Sequence, residues 1–447
     1  MEPGLENLGC PAAVYIKTFG CQMNEYDSLR ILKSLETAGY TRAASYKEAS
    51  VILLNTCSVR QKAEEKVYSE LGRLKKLKQH NPDLIIGVGG CVAQQEGKNL
   101  LRNFPQVDLV FGTHAIAQVA KLLARCQATR NKIVSTDMNG AEIYPAERYV
   151  PEEKQVTAFV SIMQGCENFC SYCIVPYVRG RERSRKPEDI VNEITRLADY
   201  GVKEVTLLGQ NVNSYGKTLT PPRTFPELLH AVHNIAGIER IRFVTSHPKD
   251  LSAELIQAFK DLDKVCEHIH LPLQSGSDRI LALMNRAYTA ADYLNKVEAL
   301  RAAVPAISIT SDMLVGFPGE TEKDFQATLE IVAHVEFDDL FLFRYSDRKG
   351  TPASAFPEKV PYTAMIERLE ALKALQREIS VKKNQRMIGQ TVPVLFESRS
   401  KRNPDHLAGR TRTNKVVNCR APAELLGDTA RVNIEQAHIH SLSGTLV

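Results

Sequence analysis

The chain has 447 residues, 43% hydrophobic and 24% charged, the balance of a soluble globular protein long enough for about three domains. A net charge of +5 is only mildly basic, so any nucleic-acid contact has to come from local patches. No run of about 18 apolar residues occurs, which excludes a spanning helix, and the opening residues lack a basic stretch followed by an apolar one. A cytoplasmic protein with no membrane contact is expected. In a reducing compartment its ten cysteines point to metal binding or catalysis rather than to disulfides.

The first elements read as an open, Rossmann-like α/β domain over 13–130. AVYIKTFG (13–20), SVILLN (50–55) and LIIGVGG (84–90) are near-continuous apolar runs, as parallel strands covered on both faces require. Helical patterns such as SLRILKSLETAGY (28–40) lie between them, and the spacing of about 35 residues is that of one βα unit. A polar stretch without periodicity follows, carrying Pro145 and Pro151, and the linker is placed at 131–151.

From 152 to 382 the alternation continues more regularly. Six strands are predicted: TAFVSIMQG (157–165), EVTLLG (204–209), IRFVTS (241–246), HIHLPLQ (268–274), ISITSDMLVG (307–316) and DLFLFRYS (339–346). The clearest helix, 187–201, starts on Pro187 and stops at Gly201. A complete (β/α)8 barrel needs eight such units, so six imply a partial (β/α)6 barrel with its chemistry at the C-terminal strand ends. A long charged helix, 359–387, leads outward. The last region, 385–447, is a series of short β-rich segments, TVPVLFES to SGTLV, and reads as a small antiparallel β-barrel. Nine Lys and Arg against five Asp and Glu give it a net charge of +4.

Six cysteines stand out by position. Cys166, Cys170 and Cys173 form C-x3-C-x2-C immediately after the first strand of the partial barrel. Structural zinc asks for four ligands, and a ferredoxin-type cluster for four cysteines. Three on one loop leave one iron of a [4Fe–4S] cluster open to bind a small molecule. Cys21, Cys57 and Cys91 each follow a predicted parallel strand of the first domain, at the sheet edge where ligands of open α/β sheets bind. Three unrelated buried thiols are the plain alternative, but three strands all ending in cysteine argue for a second three-cysteine cluster. Cys10, Cys126, Cys266 and Cys419 lack such placement and read as structural thiols.

The motifs KTFGCQMNEYDS (17–28), NTCSVRQKAEEKV (55–67), GVGGCVAQQEG (87–97), SIMQGCENFCSYCIVPYVRGRERSR (161–185), LLGQNVNSYG (207–216), TSHP (245–248), LPLQSGSDRIL (271–281), VGFPGET (315–321) and GRTRTNKVVN (409–418) carry a resemblance from about Tyr15 to the C-terminus. The chain resembles the methylthiotransferases of the radical S-adenosylmethionine (SAM) superfamily.

The resemblance implies two [4Fe–4S] clusters. The one on Cys166, Cys170 and Cys173 would hold SAM and cleave it to a 5′-deoxyadenosyl radical. The one on Cys21, Cys57 and Cys91 would carry sulfur, and each turnover would consume two SAM. Tyr172 would pack over the SAM cluster, while Gly209, Gln210, Asn211, Arg183, Gly316 and Gly319 would contact SAM. The C-terminal barrel resembles a TRAM domain, and Arg410, Arg412 and Lys415, with Arg179 and Arg181 beside the cysteine loop, are the candidate RNA contacts. The implied activity converts N6-isopentenyladenosine at position 37 of tRNA to its 2-methylthio derivative. The implied partners are tRNA, a flavodoxin-like electron donor and a sulfur donor, with the chain a monomer. The same chemistry on threonylcarbamoyladenosine or on a ribosomal-protein aspartate is the near alternative, although NTCSVRQKAEEK fits the isopentenyl branch. A non-catalytic iron–sulfur RNA-binding protein is the distant one.

Overall fold

The computed structural model describes residues 12–58, 61–138, 155–401 and 403–447; Cys10 and the expected linker from 139 onward lie outside them. The chain divides into two compact units. One comprises Met1–Tyr149, Gln164–Glu167 and Cys173–Arg183, and the other Val150–Met163, Asn168–Tyr172 and Ser184–Val447. The border therefore runs through the C-x3-C-x2-C loop.

The first unit is built on six parallel strands: β1 (Ala13–Thr18), β2 (Thr41–Arg42), β3 (Val51–Thr56), β4 (Ile85–Gly90), β5 (Leu109–Phe111) and β6 (Ile133–Ser135). Their order is β2-β1-β3-β4-β5-β6. The continuous apolar run of β3 is explained by its alternation. Val51 and Leu53 enter a core with Ile31, Leu35 and Leu123, while Ile52 and Leu54 enter one with Val67, Leu71 and Val110. β6 lies within the stretch read as linker, so the sheet extends further along the chain than the sequence reading placed it. β2, β5 and β6 are two or three residues long, too short to show a period.

In the second unit all six predicted strands form, as two parallel three-stranded sheets. Thr157–Ser161, Glu204–Leu208 and Arg240–Phe243 make one, and His268–His270, Ser308–Val315 and Asp339–Arg344 the other. A parallel bridge, Ile241 to Val265, continues the first sheet toward the second. Helices follow the strands, Pro187–Asp199 beginning on its proline and Glu322–Val335 on a Thr321–Asp324 capping box. The long helix Tyr362–Gln385 leads to a closed five-stranded barrel (Thr391–Arg399, His406–Thr411, Val416–Arg420, Thr429–Ala437 and Leu442–Leu446) filled by Val394, Phe396, Val417, Val432 and Ile434. Among the described residues no helix is long and apolar enough to cross a membrane.

Candidate active site

The first unit brings Cys21, Cys57 and Cys91 to one edge of its sheet. The strand order turns back between β1 and β3, and at such a switch point the loops leave in opposite directions and open a crevice at the C-terminal strand ends. Cys21 follows β1 and caps the helix Gln22–Thr37, Cys57 directly follows β3, and Cys91 opens the helix after β4. The approach is close enough to need glycine. A Cβ on Gly20 (φ +141°) would stand 2.4 Å from the Cβ of Cys57, and one on Gly90 (φ +88°) would stand 2.4 Å from the Thr56 carbonyl oxygen.

Buried amides fix this crevice. Asn24 Nδ2 donates to the Thr56 carbonyl (3.0 Å), and Asn55 Nδ2 donates to the Asn24 carbonyl (2.8 Å) and Ser28 Oγ (2.9 Å). Asp27, fully buried, accepts from Arg179 Nη2 at 2.8 Å. Arg179 arrives on the helix Val175–Arg179, which is anchored by Thr113 Oγ1 donating to the Val178 carbonyl and by Ile174 and Val178 packing on Cys91. The segment after Cys173 is thus part of the wall around the first cysteine trio.

The electrostatics suit anionic sulfur. A hydrogen bond from Cys57 and the nearby Arg179 charge hold the Cys21 thiol down at about 6. Burial pushes the Cys91 thiol up, and the Arg179 guanidinium opposes that push. None of the six cysteines is in a disulfide. Among the described residues no three His, Cys, Asp or Glu side chains close on one metal ion. A cluster asks its thiolates to surround a wider body than a single ion with bonds of about 2.3 Å. Three unbridged thiols beside a buried cation fit an iron–sulfur cluster as a donor set.

In the loop that follows, Cys166 and Cys170 are buried and Cys173 half-buried. The Cys166 amide donates to the Gly180 carbonyl within the first unit. Cys170 belongs to the second unit, where residues 283–286 hold its loop. Ser171 donates from its amide to the Met284 carbonyl and from Oγ to that of Leu283. Asn285 Nδ2 donates to the carbonyls of Asn168 and Phe169, and Arg286 Nη1 donates to Cys170 Sγ at 3.4 Å. Tyr172 packs edge-on against Phe317 in a cluster with Ile280, Met284 and Tyr345.

Of the residues expected to meet SAM, Gly209 and Asn211 stand at the C-terminal end of Glu204–Leu208. Asn211 is buried, its Nδ2 donating to Asp250 at 2.7 Å and its Oδ1 lacking a hydrogen bond. At the end of the next strand, His247 Nδ1 accepts from the Lys249 amide while Nε2 is buried and unbonded. Burial and the Arg286 charge lower the His247 pKa, so its ring is neutral. Gly316 donates its amide to Glu320, whose carboxylate is held by Arg368 at 2.8 Å, and Gly319 donates to the Glu358 carbonyl. Arg183 is half-buried in the short strand Arg183–Ser184, and Gln210 is half-buried beside Asn211.

The candidate RNA contacts are placed differently from the sequence reading. Arg179 is buried on Asp27, and only Arg181, whose side chain is 81% exposed, keeps the solvent-facing position expected of both. Arg412 binds both oxygens of Glu267 at 2.8–3.0 Å, Lys415 faces Asp338, and Arg410 faces Glu397 and Asn414. Arg240 and Arg242 donate to the carbonyls of Arg410, Thr411 and Arg412. Arg240, Glu267 and Asp338 lie at the N-terminal ends of their strands. The 410–415 loop therefore docks the small barrel onto the end of the core opposite the cysteine loop. Arg412 and Lys415 are paired within the protein, because the core strand ends present partly buried carboxylates worth pairing, while Arg410 pairs with Glu397 of its own barrel. Asp27, Asn285 and Arg286 were missed as individual residues. Asp27 sits in a quoted motif, while Asn285 and Arg286 lie in ALMNRAY, which has no spacing signal.

Comparison with known proteins agrees with this architecture. Residues 13–112 match the family model described as uncharacterized protein family UPF0004, 160–332 the radical SAM superfamily and 385–447 the TRAM domain. The tRNA-2-methylthio-N(6)-dimethylallyladenosine synthase of Syntrophus aciditrophicus is 52% identical, over 97% of this chain and 94% of its own. The protein of the same name from Caldicellulosiruptor saccharolyticus is 51% identical, over 97% and 92%. Among solved structures, the radical SAM methyltransferase TsrM from Kitasatospora setae, with cobalamin and a [4Fe–4S] cluster bound, superposes with a TM-score of 0.55 at 15% identity, over 77% of this chain and 74% of that one. That likeness concerns the fold. With half of its residues shared along nearly its whole length, the chain belongs to the family of tRNA-2-methylthio-N(6)-dimethylallyladenosine synthases.

Proposed function

We propose that this chain installs a methylthio group on C2 of N6-isopentenyladenosine in tRNA, at position 37 beside the anticodon, using SAM and two [4Fe–4S] clusters. The observation that carries the reading is the full-length identity of about one half to relatives of that name, in a chain with both cysteine trios at strand ends or on one strand-end loop. Cys166, Cys170 and Cys173 would hold the SAM cluster, and Cys21, Cys57 and Cys91 the second one. When bound, these groups supply the one-electron reduction of SAM and a held sulfur atom, the two functions that replacing an unactivated aromatic C–H bond requires.

The protein's own part is to bind, orient and shield. Asn211 Oδ1 is a buried acceptor suited to the SAM ammonium, and the neutral ring of His247 offers a second polar contact at the neighbouring strand end. The buried amides Asn24 and Asn55 hold the first trio in register. For tRNA, Arg181 is an exposed cation close in sequence to Cys173. Within the second unit, Arg399 and Arg420 line a shallow groove of ≈ 430 Å³ with Asp405 and Leu407 on the small barrel and offer a separate pair of cations for phosphate. A reduced flavoprotein and a sulfur donor complete the stoichiometry as external partners.

Mass spectrometry of tRNA nucleosides from a strain lacking the gene tests the reading. Loss of the 2-methylthio nucleoside with accumulation of isopentenyladenosine supports it, and an unchanged nucleoside pattern overturns it.

A further inference from the structure

The two cysteine trios are both approached by a buried arginine, but only one arginine is neutralised. Arg179, in the first unit, is paired with the buried carboxylate of Asp27. Arg286, in the second unit, makes no ion pair with a carboxylate among the described residues. Arg286 is only 4% exposed, and it donates from Nη1 to Cys170 Sγ (3.4 Å), from Nη2 to the Pro272 carbonyl (2.7 Å) and from Nε to Tyr288 Oη (2.9 Å). Tyr288 Oη is itself turned to the carbonyls of Pro272 and Leu273, so it is a neutral partner. A full positive charge is therefore held, by three hydrogen bonds in a water-poor site, against one sulfur of the cysteine loop. Burying an uncompensated cation is costly, and an anion placed beside it offsets that cost.

We infer that Arg286 is a positioning residue for the reductive step: it donates to the cluster ligand Cys170 and makes the SAM-side cluster easier to reduce. Reduction adds one electron and one negative charge, and a fixed cation within hydrogen-bond reach of a ligand sulfur favours the more negative state. The neighbouring contacts of Asn285 and Ser171 hold the loop backbone without adding charge, so geometry and charge are supplied by adjacent residues and can be separated by substitution. His247, whose ring lies 5.6 Å from that of Tyr288, adds no charge of its own because it is neutral. The inference rests on the two-cluster reading above.

The test uses the full-length chain with Cys21, Cys57 and Cys91 all changed to Ala, so that only the Cys166/Cys170/Cys173 loop can load. Iron content and the midpoint potential are measured by electron paramagnetic resonance in a redox titration. In this background Arg286→Gln is expected to lower the reduced-to-oxidised ratio at a given potential about tenfold, a shift of about 59 mV for one electron. Asn285→Ala, which loosens the loop but keeps the cation, is expected to leave the potential unmoved. An unchanged potential in Arg286→Gln overturns the inference, as does an equal shift in Asn285→Ala. Should Arg286→Gln not load, Arg286→Lys decides: a potential within threefold of the parent ratio supports a charge effect, and a tenfold fall overturns it. If the parent with three alanines holds no cluster, the cluster reading itself fails, a result distinct from a loaded cluster with an unmoved potential.

Discussion

The sites around Cys91 and around Cys170 solve the same problem, a thiol held beside a buried guanidinium, with opposite charge balance. At Cys91 the arginine, Arg179, is matched by Asp27, and both sit among the amides of Asn24 and Asn55. At Cys170 the arginine, Arg286, has only neutral acceptors and the sulfur. The cysteines also reach their places differently. Cys21, Cys57 and Cys91 are carried by three strand ends that the topology gathers, whereas Cys170 sits on a loop held by backbone and side-chain hydrogen bonds with residues 283–286. The difference teaches that a site assembled from distant strands can afford an internally neutral ion pair as part of its wall, while a site on one loop is held by local hydrogen bonds and keeps its cation for the bound group.

Substitutions can break this comparison, beginning with the largest effect. Cys166→Ala is expected to abolish SAM cleavage, while Cys57→Ala leaves 5′-deoxyadenosine formation largely intact and stops thiomethylation; both are read by chromatography of the products. A Cys57→Ala protein that still forms full methylthiolated tRNA would remove the sulfur-carrying role from the first trio. Next comes stability of the cluster-free protein in denaturant titrations. Asp27→Ala strands the Arg179 cation without its carboxylate and is expected to cost about 3–5 kcal/mol. Arg286→Met removes a cation that has no anion partner, so the relief of its burial offsets the lost hydrogen bonds and a cost well below that of Asp27→Ala is expected. Equal costs would show that the charge balance of the two sites is not different. Gly90→Ala should cost about 2–3 kcal/mol, because a side chain at φ +88° meets the Thr56 carbonyl. Smallest is Arg412→Ala, at about 1–2 kcal/mol for the bond to Glu267. It should leave the salt dependence of tRNA binding as it was, whereas Arg181→Ala should flatten that slope by about one phosphate contact. A flattened slope in Arg412→Ala would return the 410–415 loop to the RNA surface.

Much of this was legible in the sequence. The runs at 51–54 and 85–90 specify parallel strands because every position is apolar or small, and a strand buried on both faces needs that. The C-x3-C-x2-C spacing and the three strand-end cysteines were legible because ligands must sit at set distances along the chain or at set places in a βα unit. Three things were decided only by tertiary structure. Strands of two or three residues, such as β6, carry no periodic signal and form because a neighbouring edge offers hydrogen bonds. The use of Arg412 and Lys415 as docking cations depends on Glu267 and Asp338, which come from strand ends more than sixty residues away in the chain. The roles of Asp27 and Arg286 likewise depend on burial, since a charge becomes selective for its partner only where water is excluded, and composition and spacing do not reveal where that is. The sequence by itself determined the longer elements and the strand-end places of the six cysteines; the folded structure decided which charges surround them, because burial and partner choice are properties of three-dimensional packing.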